Sequence, residues 1–205
     1  MIDHNRKFIF IHIPKTGGTS IDHHFKGSMQ RHSCIKDYID NLGSNLVEEY
    51  FKFCVVRNPW AKTVSHYNMI TQRKLAGWKN TLKIYGKKIH TFEEYVIENI
   101  DLKRRSGTEF KTKYSHDFKT MDQLNWIVDF KGNICIDYIM RFENMQQDFN
   151  VVCDKMGIPR QQLAHKNKGT SKHKHYTEYY NDETRQIVAE KYAKDIEYFG
   201  YEFGE

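Results

Sequence analysis

Apolar positions along the chain gather in three nearly continuous runs rather than in strict alternation. Lys7 to Ile13 (KFIFIHI), Phe51 to Val56 (FKFCVV) and Ile134 to Met140 (ICIDYIM) are such runs. They suit strands of a parallel sheet that is covered on both faces. Each is followed by turn residues and then by a helical stripe. Pro14 and Gly17-Gly18 follow the first run, and a helix is predicted from Thr19 onward. Asn58-Pro59 follows the second, with Pro59 placed for the first turn of a helix running to about Arg73. After the third come Asn144 and then Met145, Phe149, Val152 and Met156 on one helical face, closed by Gly157 and Pro159. A last helix is predicted from Asn181-Asp182, with Val188, Tyr192, Ile196 and Phe199 on one stripe and Gly200 as its stop. Strands alternating with helices predict an α/β fold in three layers, a mostly parallel central sheet flanked by helices.

One stretch departs from this rhythm. Leu75 to Thr120 is rich in Lys, Gly and Thr and carries one amphipathic helix near Phe92 to Ile100, then a polar run from Asp101 to Lys119. It reads as a substrate-side insertion at about 75–120 within a single domain spanning 1–205, because loops over one face tend to carry substrate contacts.

Composition narrows the class. With 39% hydrophobic and 14% aromatic residues, a chain of 205 residues can build its own core. Folding at this size buries roughly 70% of the unfolded surface, so no disulfide or metal staple is required. No apolar run approaches the roughly 20 residues of a membrane span. Met1 to Phe10 is charged, and the apolar run Phe8 to Ile13 is about half of a signal peptide's hydrophobic segment. A cytoplasmic location is therefore expected. The charge sum of 32 Lys+Arg against 26 Asp+Glu gives +6. That excess is too small for a histone-like binder and suggests a small anionic partner. The four cysteines, Cys34, Cys54, Cys135 and Cys153, form no C-x-x-C and read as reduced core thiols. His23-His24 and the His173, His175 pair lack a partner doublet at ligand spacing, so no metal is expected.

The chemistry gathers at the end of the first run, in Phe10-Ile-His-Ile-Pro-Lys-Thr-Gly-Gly-Thr-Ser-Ile21. Glycines let the backbone curl so that successive N–H groups converge, and a helix N-terminus adds partial positive charge. Lys15 adds a full charge, and Thr19 and Ser20 add hydroxyl donors. A plain strand-to-helix turn would use Gly for geometry and Thr or Ser as a cap, but would need neither Lys15 nor both hydroxyls. A Walker A loop places its Lys after the glycines, whereas Lys15 precedes them. The second run ends in Val55-Val-Arg57-Asn-Pro-Trp60-Ala-Lys-Thr-Val-Ser65-His-Tyr67. An Arg at a strand end can grip a phosphate in bidentate fashion, supported by a hydroxyl from the following helix. Either residue alone would be read as a structural bridge.

Together, I-P-K-T-G-G-T-S and V-V-R-N-P-W-x-x-x-V-S-x-Y resemble the nucleotide-binding signature of the sulfotransferases, nearest to carbohydrate O-sulfotransferases and their small bacterial and viral relatives. The similarity extends to Arg141-Phe-Glu-Asn144 and to the ending Tyr192 to Phe203, where Phe-Gly-Tyr-Glu-Phe reads as core packing. The resemblance implies a P-loop-NTPase-like sulfotransferase fold. It also implies an enzyme that moves a sulfuryl group from 3′-phosphoadenosine 5′-phosphosulfate (PAPS) to an acceptor hydroxyl and releases the bisphosphate PAP.

By that resemblance, Lys15, Thr16, Gly17, Gly18, Thr19 and Ser20 surround the 5′-phosphosulfate, and Arg57 and Ser65 hold the 3′-phosphate. Lys168 and Gly169, in Lys166-Asn-Lys-Gly-Thr170, match a C-terminal nucleotide loop. Sulfuryl transfer is a loose in-line displacement, so the protein mainly positions groups and stabilises charge. Lys15 is the expected catalytic cation. His32 is the expected base, because imidazole titrates near neutral pH and family members often show a His before the second strand. Asp37, His23, His24 and His116 compete for that role. The expected partner is a small-molecule or glycan acceptor, with no nucleic acid and no membrane. Two other classes stand beside this reading. A P-loop small-molecule kinase should carry Lys after the glycines, and a non-catalytic binder of anionic glycan or nucleic acid should show a basic stripe interleaved with aromatics.

Overall fold

The computed structural model describes residues 1–26, 32–75, 91–99, 122–164 and 174–205. Its contacts group into two compact units, Met1–Arg57 with Phe110–Lys168, and Asn58–Glu109 with Gly169–Glu205.

The first unit carries a four-stranded sheet in the order β1 (Ile2–Asp3), β2 (Phe8–Ile11), β3 (Phe51–Val56), β4 (Tyr138–Arg141). β1 runs antiparallel to β2, whereas β2, β3 and β4 are mutually parallel. Every residue of β2 is buried, as a continuous apolar run on a twice-covered strand requires. On one face Phe8, Phe10, Phe53, Val55 and Met140 form a single cluster with two helices. Ile21 and Phe25 come from α1 (Gly18–Phe25), and Phe149, Val152 and Cys153 come from the helix that follows β4. Lys52 interrupts the apolar run of β3 yet is buried. Its ammonium is satisfied by the Asp137 carboxylate at 2.9 Å and the Tyr50 carbonyl at 2.7 Å, since a buried charge needs a partner.

That same carboxylate corrects the third predicted strand. The run Ile134–Met140 does not pair along its length. Ile134 forms an isolated antiparallel bridge to Val128, and the parallel ladder starts only at Tyr138. The start of the run instead closes a local turn, in which the Asp129 N–H donates to the Asn133 carbonyl at 2.9 Å and the Cys135 N–H to the Ile127 carbonyl at 2.9 Å, while the Asp137 side chain accepts the Lys52 N–H at 2.6 Å.

Two short helices absent from the sequence reading, α2 (Ile35–Leu42) and α3 (Ser44–Glu48), lie between α1 and β3. In the second unit, α4 (Pro59–Leu75) starts where Pro59 predicts. Buried Asn58 caps it by accepting the N–H groups of Trp60 and Ala61. α5 (Phe92–Asn99) also forms as predicted, and α6 (Met145–Lys155), in the first unit, carries the predicted apolar face. The final helix, however, is two: α7 (Asp182–Lys191) and α8 (Ala193–Phe199), separated at Tyr192. Tyr192 leaves helical geometry (φ −110°, ψ 25°), and its buried ring lies 5.0 Å from the Lys62 ammonium. The C-terminal Phe203 packs edge-on against Trp60, Tyr176 and Tyr180, as core packing of the ending predicts.

Candidate active site

The parallel register sets the site. Ile11 pairs with Cys54, and Val56 pairs with Arg141, so β2, β3 and β4 end along one edge. Lys15 to Gly18 follow β2, Arg57 follows β3 and Phe142 follows β4. Open α/β sheets place ligands at this carboxyl edge.

Backbone conformation shapes the loop after β2. Lys15 (φ 69°) and Gly17 (φ 86°) are left-handed, while Thr16 between them is not. Such alternation turns successive N–H groups toward one side. For Lys15, a residue with a side chain, the left-handed state costs roughly 1–2 kcal/mol. Thr16 is fully buried, and its hydroxyl donates to the Ile13 carbonyl at 2.9 Å, which fastens the loop from inside. Helix α1 takes Gly17 as its N-cap without a side-chain cap, so neither Thr19 nor Ser20 caps it. Thr19 is exposed and Ser20 half-buried in the first turn.

Both glycines are required by close neighbours. A Cβ on Gly17 would stand 2.6 Å from Met145 Cε and 2.8 Å from Phe142. A Cβ on Gly18 would stand 2.6 Å from His12 Nε2. His12 is buried, and its Nδ1–H donates to Asp22 at 2.7 Å, so the pair underpins the loop from the strand side.

His32 also has left-handed backbone (φ 67°) and is half-buried. Its Nδ1 lies 3.2 Å from the His12 carbonyl, and its ring centroid 4.9 Å from that of His12. A carbonyl only accepts, so Nδ1 carries a proton, which in a neutral imidazole makes Nε2 the basic nitrogen. The competing bases are differently engaged. Asp37 Oδ2 accepts the N–H of Cys34 at 2.8 Å and its thiol at 3.1 Å, capping α2. Burial, and secondarily Arg6 and His23, pull His24 below its ordinary pKa, and its ring sits edge-on against Phe149. His23 is exposed on α1. His116, Lys168 and Gly169 lie outside the described residues, as does most of the 75–120 insertion.

Arg57 is fixed from three sides. Its N–H donates to Gln123 Oε1 at 2.8 Å, and Gln123 Nε2 donates to its carbonyl at 2.9 Å. Its guanidinium lies 4.0 Å from the centroid of the Phe142 ring and donates through Nη1 to the Lys15 carbonyl at 3.3 Å. Ser65 sits half-buried on α4 in the second unit.

A family model described as the sulfotransferase family matches residues 1–202. The chain belongs to the sulfotransferase family. A protein of Archaeoglobus fulgidus, itself described only as uncharacterized, is similar to it at 23% identity over 133 residues. That match covers 60% of this chain and 80% of the relative. The α/β fold with its mixed sheet agrees with the family, whose members are transferases of sulfuryl groups. Among the described residues no helix is long and apolar enough to cross a membrane.

The sequence reading of this sulfotransferase missed four residues at the site. His12 and Asp22 left a signal, since each is a polar residue at an inward position of an apolar element. Phe142 left a weaker one, because it directly follows the third strand. Gln123 left none, because it stands outside any periodic segment.

Proposed function

We propose that this protein is a PAPS-dependent O-sulfotransferase that sulfates a carbohydrate hydroxyl. The carrying observation is the loop Lys15 to Gly18 at the carboxyl edge of the parallel strands, where left-handed Lys15 and Gly17 and two closely packed glycines lead into the N-terminus of α1, which no side chain caps. Backbone N–H donors, a helix N-terminus and one cation are the donor set that a phosphosulfate needs. The nucleotide, when bound, supplies a sulfuryl group on a good leaving phosphate.

Every other contribution comes from this chain. The loop N–H groups and the Lys15 ammonium meet negative charge at the 5′ end, which is where electrostatic stabilisation acts. Thr19 and Ser20 lend their hydroxyls, while the Thr16 hydroxyl holds the loop and leaves its N–H for the anion. Arg57 meets the 3′-phosphate, and Ser65 keeps the role that the resemblance gives it, as do Lys168 and Gly169. His32 accepts the acceptor's proton at Nε2, in the tautomer that its bond to the His12 carbonyl favours. A kinase reading is disfavoured by Lys15 preceding the glycines.

The test is transfer of radiolabelled sulfuryl from PAPS to a panel of glycans, phenols and lipids, beside thermal shifts with PAP and with ATP-Mg. Label on a glycan, with stabilisation by PAP, is expected. Stabilisation by ATP-Mg alone would overturn the nucleotide assignment, and label only on phenols or lipids would overturn the acceptor.

A further inference from the structure

The contact between Gln123 and Arg57 joins residues 66 apart in sequence and is a closed two-bond pair. Arg57 is the first residue past the ladder that ends with Val56 opposite Arg141. A neighbouring strand residue would normally satisfy its N–H and carbonyl there. Instead a side-chain amide does so, with Oε1 accepting and Nε2 donating. Gln123 is fully buried and opens a short 3-10 turn, Gln123–Trp126, so the amide is held in place by its own surroundings. Only one orientation of the amide satisfies both partners.

The backbone of Arg57 is thus fixed, and Phe142 and the Lys15 carbonyl then fix its guanidinium. A guanidinium recognises phosphate through a rigid planar fork, so its value depends on how well it is aimed. We propose that Gln123 is the positioning residue that aims Arg57, and thereby sets the preference for nucleotides carrying a 3′-phosphate over those without one. The proposal rests on Arg57 meeting that phosphate, as argued above.

The experiment measures, on the full chain, the Kd of PAP and of adenosine 5′-monophosphate by calorimetry, with melting temperature alongside. Wild type is expected to bind PAP much more tightly than the monophosphate. Gln123→Met keeps the volume but neither hydrogen bond. It is expected to cut that preference tenfold or more while leaving monophosphate affinity within about twofold. Gln123→Glu, which keeps the acceptor for the Arg57 N–H, is expected to lose less and serves if the Met variant does not fold. Equal losses for both nucleotides, or no loss, would overturn the role of Gln123. A wild type without preference for PAP would overturn the reading of Arg57 itself.

Discussion

The ring of Phe142 serves two neighbours at once: it lies 4.0 Å under the Arg57 guanidinium and would block any Cβ on Gly17 at 2.8 Å. One aromatic side chain therefore shapes both the loop after β2 and the cation after β3. A guanidinium over a ring contributes about 0.5–2 kcal/mol, more as water is excluded. Phe142→Ala should weaken PAP binding by roughly 3- to 30-fold, and Phe142→Tyr should restore most of it. Calorimetry on both variants decides. Unchanged affinity in the Ala variant would show that the stack does not orient Arg57.

Gly18 faces the His12 ring with no space between. Gly18→Ala should destabilise the fold by about 1–3 kcal/mol through overpacking, a fall of several degrees in Tm for a chain of this size. Pairing it with His12→Ala should recover part of the loss, because the two changes share one volume. A purely additive double mutant, read by thermal or urea unfolding, would rule out this contact as the cause.

Lys15 and His32 should separate by kinetics. Lys15→Ala should lower turnover by about 10²–10³ with the fold intact, as removal of one stabilising contact to developing charge does elsewhere. His32→Ala should keep PAP affinity and lose turnover. Steady-state rates with titrated PAP binding distinguish them; loss of both affinity and rate in the His32 variant would remove it as base.

The cysteines should differ in reactivity, since the thiolate is the nucleophile. Burial, aided by its bond to Asp37, pushes the Cys34 thiol up to about 11, and burial pushes Cys54 higher still. Cys135 is half-buried. Alkylation at pH 8 should therefore label Cys135 first and leave Cys34 and Cys54 until unfolding, as followed by peptide mass spectrometry. Equal labelling of Cys54 would contradict the packing of β3.

Three parallel strands, the glycine loop and Arg57 were legible in the chain because each is written in neighbouring residues. Periodicity marks a twice-covered strand, Gly-Gly after it marks a tight turn, and Pro59 marks a helix start. The break at Tyr192 and the late start of β4 were not legible. In each, a buried side chain with a distant partner, Lys62 in one case and Lys52 in the other, accompanies the departure from local pattern. The same limit governs the site. Sequence alone determined which residues carry charge and where glycines let the backbone turn tightly. Only the tertiary structure decided what aims them. Gln123 on the Arg57 backbone, Phe142 beneath its guanidinium, and His12 with Asp22 behind Gly18 are contacts between separate segments. Such contacts are selected by burial and hydrogen-bond satisfaction in the folded core, and local sequence pattern does not encode them.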